Sequence, residues 1–366
     1  MPSFEIVILG AVGGPYEQAT QCFMLRPYGL EGTMESICID GGAGINQIAW
    51  LLMQYKKQAI NESVRENFFR ESGEILLQDF IDTNIPHQYG FPNSLLSQLD
   101  LSLPVHVNAV LIYEGIKEFY ITHPHLDHIG AMVLNSPLLF EPNPNSADPK
   151  QEKTLYSLPF TSKAIREHIF NDEIWPDLML EGSEPLMIQD LKEEKAHKSK
   201  TFPNWKITAF PVHHGNRVTR PSAKIYSSAF VIQNEFNKDA IAIFGDVEQD
   251  ELISKIWQHI VDNVPAGSLK AILIECSSPD NINPTNLYGH LSPKLLIHEI
   301  KCLSELYKSG LSGLDVIITH VKFSKFNLRE DPRVTILNQI KKYAAMETAL
   351  NGVNFSMTLE GISYIR

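Results

Sequence analysis

The 366 residues allow two or three average domains or one large α/β domain, and 43% apolar with 20% charged residues is ordinary for a soluble globular enzyme with a substantial core. The formal net charge of -12 speaks against a general nucleic-acid binder, which needs a basic face. A local positive site made by metals stays compatible with that acidity.

The N-terminus, Met-Pro-Ser-Phe-Glu-Ile, has neither a basic n-region nor a long apolar h-region. No apolar run reaches the roughly 18 residues needed to span a bilayer. Cys22, Cys38, Cys276 and Cys302 are widely spaced and form no CxxC pair, so they read as buried free thiols in a reducing compartment. A cytoplasmic protein without a membrane partner is the expectation.

Phe4 to Leu9 reads as a strand, and Gly10-Ala11-Val12-Gly13-Gly14-Pro15 as the tight turn after it. A dinucleotide loop is disfavoured there because the GxGxxG spacing is absent and Pro15 interrupts the turn. Gln21 to Leu25 and Ser36 to Asp40 are further strands, without helices between them, which predicts an antiparallel or mixed start to a sheet. Ile45 to Tyr55 is helical. From Lys56 to His106 the pattern is irregular, with Phe68, Phe69, Leu76, Leu77, Phe80 and Ile81 at partial helical spacing; it reads as an insertion packed on the main body. Asn108 to Ile116 is a helix leading into the next strand.

That strand, Phe119-Tyr120-Ile121, runs into Thr122-His123-Pro124-His125-Leu126-Asp127-His128-Ile129-Gly130. On a strand, the two-residue period puts His123, His125 and Asp127 on one face, whereas on a helix they point apart. A strand end opening into a turn also brings His128 inward. His123 and His125 can then grip one divalent cation while Asp127 and His128 grip a second. Neutral imidazole and carboxylate oxygen are the ligands of zinc or a similar first-row metal, with manganese and iron as alternatives.

Ala131 to Leu134 begins a helix, Glu141 to Lys153 is an exposed loop, Phe160 to Asp172 a helix and Ile174 to Leu178 a compact aromatic turn. Leu191 to Lys200 reads as charged surface. Strands follow at Trp205 to Val212, Ser227 to Ile232, Ala240 to Phe244, Ala271 to Glu275 and Val316 to Thr319, with helices at Leu252 to Val264, Lys294 to Leu306 and Asp331 to Glu347. Ser356 to Ile365 is a terminal strand pair. The strand-rich opening of each half predicts two sheets facing each other, helices outside.

One pattern recurs. An apolar strand ends and a ligand-type residue stands at its tip: Asp40, the His123 to His128 run, His213/His214, Asp246, Glu275 and His320. Tips on one edge of a sheet converge in space, so residues far apart in the chain can meet at one metal pair.

The HxHxDH run, the later histidine, Gly245-Asp246 and Thr319-His320 resemble the ligand series of the metallo-β-lactamase superfamily. More narrowly, His123 to Ile129 followed by Met132-Val133-Leu134-Asn135-Ser136-Pro137 resembles the signature of class II cyclic-nucleotide phosphodiesterases. The likeness continues through His168 to Asp177, Gly245 to Asp250 and Tyr288-Gly289-His290-Leu291-Ser292-Pro293, nearly the whole chain. Ala131 departs from that signature, which usually has Gly or Ser there, but removes no ligand.

The resemblance implies an α/β fold, the αββα metallo-β-lactamase-like sandwich of two mixed sheets with helices outside. It implies one domain over 1–366, with an insertion at about 56–106 and an excursion at about 138–200. It also implies two divalent metal ions, zinc first. His123, His125 and His214 would hold the first, with His213 as the fallback; Asp127, His128 and His320 would hold the second; Asp246 would bridge both. Asp40 would orient a ligand imidazole, or serve only as a cap or turn residue. The implied reaction is hydrolysis of cyclic AMP, and of cyclic GMP, to nucleoside 5'-monophosphates by a metal-bridging hydroxide. His290 would protonate the departing ribose 3'-oxygen, held by Glu275. Phe170, Trp175 and Tyr288 are candidates to stack the base, though aromatics in such turns are more often core.

The partner is thus a small cyclic nucleotide, without nucleic acid, and a homodimer is compatible. Rival readings are a tRNA 3'-end-type nuclease, which wants a basic surface that this acidic chain lacks, and a thioester or lactone hydrolase on the same fold. A binding protein that kept the fold without the chemistry would be expected to have lost ligands.

Overall fold

The structure, a computed structural model, describes residues 2–17, 19–56, 79–140, 153–179, 186–283, 286–323 and 331–366. The first half runs β1 (Phe4–Gly10), β2 (Cys22–Pro27), β3 (Ser36–Ile39), α1 (Ile45–Lys56), β4 (His87–Tyr89), α2 (Asn93–Leu96), α3 (Val105–Gly115), β5 (Ile116–Tyr120), α4 (Leu126–Asn135), β6 (Lys153–Ser157), α5 (Pro159–His168) and β7 (Leu186–Asp190). The second runs β8 (Ala196–Lys198), β9 (Trp205–Arg217), β10 (Arg220–Asn234), β11 (Ala240–Phe244), α6 (Glu251–Asn263), β12 (Leu269–Glu275), α7 (Pro293–Leu306), β13 (Asp315–Thr319), α8 (Pro332–Ala344), β14 (Asn354–Met357) and β15 (Ile362–Ile365).

Two mixed sheets form, in the orders β4-β15-β1-β2-β3-β5-β6-β7 and β14-β13-β12-β11-β10-β9-β8. Strand β1 shows why they face each other. Its residues are buried on both faces, and the two-residue period sorts them: Phe4, Ile6 and Ile8 pack in the core with β9 to β13, while Val7 and Leu9 pack with α1, α3 and α4. On the far side α6 presents Ile253, Ile256, Trp257 and Ile260 at helical spacing to the second sheet. Each such fully buried side chain stabilises by about 1.5–3 kcal/mol. The layers are helix, sheet, sheet, helix.

Several expectations change. The terminal strand pair is real but divided: β14 joins the second sheet beside β13 and β15 joins the first beside β1. The described part of the 56–106 insertion, 79–106, adds edge strand β4 against β15 and buries Phe80 and Ile81 in the same core cluster as Phe4, Ile6 and Ile8. Phe68, Phe69, Leu76 and Leu77 lie outside the described residues, as does 141–152 of the expected loop. Lys153, read as the end of that loop, is buried and opens β6. The short strands β6, β7 and β8 were not legible because their residues mix apolar and charged side chains with no long period. The stretch read as charged surface contains β8, whose His197 ring lies 4.4 Å from that of Tyr156.

Candidate metal centre

The dense motif leaves β5 at Tyr120 and turns into α4 at Leu126, with His125 as its N-cap residue. The helix therefore starts five residues before the expected Ala131. Asp127 and His128 stand in its first turn rather than in an open turn, and a carboxylate there suits the positive end of the helix dipole. The extended segment up to and including the cap carries His123 and His125, and the helical turn carries Asp127 and His128. This change of period is what lets all four reach one place.

The other predicted residues arrive mostly at strand tips. Asp246 follows β11, Glu275 ends β12 and His320 follows β13. His214 does not sit at a tip: β9 continues to Arg217, and successive residues along it face opposite ways. His214 turns to Asp246, with Nε2 3.3 Å from Oδ2. His213 turns the other way and pairs through Nδ1 with Asp250. The fallback choice of His213 is thereby separated from the centre.

Asp246 is the point of convergence. His128 Nε2 lies 3.2 Å and His320 Nε2 3.1 Å from its Oδ1, while His123 Nε2 lies 3.8 Å from its Oδ2. Asp127 Oδ2 is 3.3 Å from His320 Nε2. His123–His125–His214–Asp246 and Asp127–His128–His320 each bring their ligand atoms within 4.8 Å of one another, as do Asp246–His290–His320 beside them and, apart, His213–Glu248–Asp250.

Behind four of the imidazoles, His123, His128, His214 and His320, the protein holds Nδ1 and leaves Nε2 facing inward. Asp40 Oδ2 accepts from His128 Nδ1 at 2.8 Å, and Gly289 O accepts from His214 Nδ1 at 3.0 Å. Thr122 Oγ1 and Ser227 Oγ lie 3.1 and 3.3 Å from His123 Nδ1, and Ser277 Oγ lies 3.2 Å from His320 Nδ1. Asp40 also accepts from Thr122 N at 2.8 Å and from Gln21 Nε2 at 3.0 Å, so the carboxylate is itself fixed. Its backbone is left-handed at φ 61°, as is that of His320 at φ 58°. Non-glycine residues in that region cluster where a site demands the geometry.

Two glycines matter by what they lack. A Cβ on Gly13 would come within 2.7 Å of the His320 ring, and one on Gly245 within 2.5 Å of Thr122 Cβ. The Gly10–Pro15 segment, read as a plain turn, is thus a wall of the centre, and Gly14 N donates to Asp127 Oδ2 at 3.2 Å. No sequence spacing marks that role.

The donor set fits divalent metal ions. Among the described residues, His123 Nε2 and Asp246 Oδ1 are buried without a hydrogen-bond partner, an arrangement costly unless a cation satisfies it. Burial holds His123 well below the usual histidine range and brings His214 down to about 4, so both are kept in the neutral, ligating form. Burial opposes charge on Asp246, but His320, His128, His214 and His290 outweigh it and hold its carboxyl well below the ordinary range. At His128 burial is likewise outweighed, by Asp246 and Asp40, and the pKa rises.

His290 and Glu275 flank the same carboxylate. Glu275 Oε1 accepts from His290 Nδ1 at 2.7 Å, and that Nδ1 lies 3.9 Å from Asp246 Oδ2. Glu275 also accepts from Val247 N at 2.8 Å and from Ser277 Oγ at 2.6 Å. Lys322, which sequence reasoning did not single out, reaches His290 Nε2 with Nζ at 2.6 Å. Of the three aromatic candidates, Phe170 is buried in the core and Trp175 donates through Nε1 to Ser136 Oγ at 3.0 Å. Tyr288 is 77% exposed, two residues before His290.

A model of the family described as class II cAMP phosphodiesterases matches residues 37–361. The 3',5'-cyclic-nucleotide phosphodiesterase 1 of Saccharomyces cerevisiae is 40% identical over 375 residues, covering 99% of each chain. The crystal structure of unliganded yeast PDE1 superimposes with a TM-score of 0.92 at 39% identity, covering 100% of both chains. The metallo-beta-lactamase fold protein YhfI from Bacillus subtilis superimposes with a TM-score of 0.53 at 11% identity over 99% of each chain, a likeness of fold alone. On a metallo-β-lactamase fold, this chain belongs to the class II cAMP phosphodiesterase family.

Proposed function

We propose that the chain hydrolyses 3',5'-cyclic nucleotides, cyclic AMP and also cyclic GMP, to nucleoside 5'-monophosphates. Two divalent cations, zinc in the first instance, would be held by His123, His125 and His214 on one side and by Asp127, His128 and His320 on the other, with Asp246 between them. The observation that carries this reading is the convergence of imidazole Nε2 atoms from three separate stretches of chain on the two oxygens of one buried aspartate. Family membership supports the substrate class.

When bound, such a cation pair lowers the pKa of water to near neutrality and neutralises charge that builds on phosphoryl oxygens. Asp40, Thr122, Ser227, Ser277 and the Gly289 carbonyl keep the imidazoles aimed, so little rearrangement is left for the reaction. In-line attack by water oxygen on phosphorus breaks the bond to the ribose 3'-oxygen, which then needs a proton. His290 Nε2 is our candidate donor; Glu275, locked by Val247 N and Ser277, fixes the ring through Nδ1 and stabilises its positive charge.

The chain is read as one metallo-hydrolase domain because β1 and β15 pair from opposite ends of the sequence and both halves supply the centre. The net charge of -12 favours a small anion drawn in by metals over a polynucleotide held by a basic face. Four unpaired cysteines fit a reducing, cytoplasmic setting.

Purified protein reconstituted with zinc should convert cyclic AMP to 5'-AMP, and cyclic GMP to 5'-GMP, with both reactions abolished by chelator. A tRNA precursor and a thioester run in parallel should stay intact. Cleavage of either in preference to the cyclic nucleotides, or turnover indifferent to chelation, would overturn the reading.

A further inference from the structure

The backbone around Lys322 is pinned on both sides: Lys322 N donates to Ser277 O at 3.0 Å, and Gly13 N donates to Val321 O at 3.2 Å. Phe323 beyond it packs edge-on against Tyr16, ring centroids 5.0 Å apart. From this fixed base the side chain crosses to His290 Nε2. Some surface lysines pair with carboxylates, as Lys198 and Lys206 do at Glu235. Among the described residues Lys322 has no carboxylate partner, only the imidazole nitrogen of His290.

We infer that Lys322 binds the phosphoryl group of the substrate and of the product. A half-buried ammonium whose one hydrogen-bond-distance neighbour among the described residues is an imidazole nitrogen is incompletely compensated, and N–H donors stay available for an anion. A cyclic nucleotide carries one negative charge and a 5'-monophosphate up to two, the additional charge developing on the phosphoryl oxygens during attack. Lysine is a point-charge phosphate binder that meets this demand without bidentate geometry. A phosphoryl oxygen near Asp246 would draw the ammonium off His290 Nε2 and free that nitrogen to carry the proton that passes to the 3'-oxygen. The inference rests on reading His290 and the two ligand groups as one reaction site.

The test titrates inorganic phosphate, 5'-AMP and adenosine into zinc-loaded wild type, Lys322→Met and Lys322→Arg, with metal content measured in each. Lys322→Met should weaken phosphate and 5'-AMP about 10- to 100-fold, the loss of one charge-assisted contact, and leave adenosine unchanged. Lys322→Arg should restore most of the loss, and zinc content should be the same in all three. Unchanged phosphate affinity, an equal weakening of adenosine, or zinc loss that accounts for the weaker binding would overturn it. The phosphate arm needs no turnover, so a wild-type protein that binds phosphate but leaves cyclic AMP intact would sink the substrate assignment and still decide the role of Lys322.

Discussion

At the scale of single residues, His290 is the sharpest test. Its Nδ1 is committed to Glu275, and burial, which alone would lower its pKa, is outweighed by that carboxylate and by Asp246 so that the pKa rises. His290→Ala removes the candidate proton donor without touching either proposed ligand group. The expected result is full zinc content by elemental analysis with kcat reduced by about 10²- to 10⁴-fold. Wild-type turnover in that variant would remove the assignment. Asp40 illustrates what residue-level reading leaves open: its sequence context allowed a cap, a turn or an orienting carboxylate. The 2.8 Å contact with His128 Nδ1 selects the last.

At the scale of elements, β6 and α3 are joined by a buried cation. Lys153 Nζ donates to the carbonyls of Tyr113, at 2.8 Å, and of Ile116, where α3 ends and β5 begins. Burial brings its pKa down to about 7 in the folded chain. An unfolded lysine keeps its proton to about pH 10.4, so between these values the unfolded state binds more protons and stability rises with pH. Below pH 7 both states are protonated and the penalty is complete. Denaturant unfolding of wild type between pH 7 and 9 should show stability rising by on the order of 1 kcal/mol per pH unit from this group. The corresponding slope should be absent in Lys153→Met. An identical slope in the two proteins would show that the ammonium is stabilised by its carbonyls as well as it is by water.

For the whole molecule, the prediction concerns metal. The centre gathers Asp127, Asp246 and the histidines around them from the segment after β5, from α4 and β9, and from just beyond β11 and β13, so a bound cation would cross-link both sheets in the native state alone. Thermal unfolding of chelator-stripped protein should respond to graded zinc, each site contributing about 2.7 kcal/mol at 100 times its Kd. The midpoint should rise by several degrees, and one that ignores zinc would count against a buried two-cation centre.

The two-sheet architecture was legible because strands such as β1, β11 and β12 are short apolar runs with ligand-type residues at their ends, and because the resemblance extends along nearly the whole chain. The dense motif was legible because grouped imidazoles and a carboxylate seldom have another purpose. Period and spacing are local properties, and the sequence by itself determined those: which residues can ligate, and which segments become strands. Tertiary structure alone decided that Asp127 and His128 ride on a helix, that His214 rather than His213 faces Asp246, and that Gly13 and Lys322 border the same centre. Each depends on the direction of a side chain relative to a segment far away in sequence, and no pattern within one segment carries that direction.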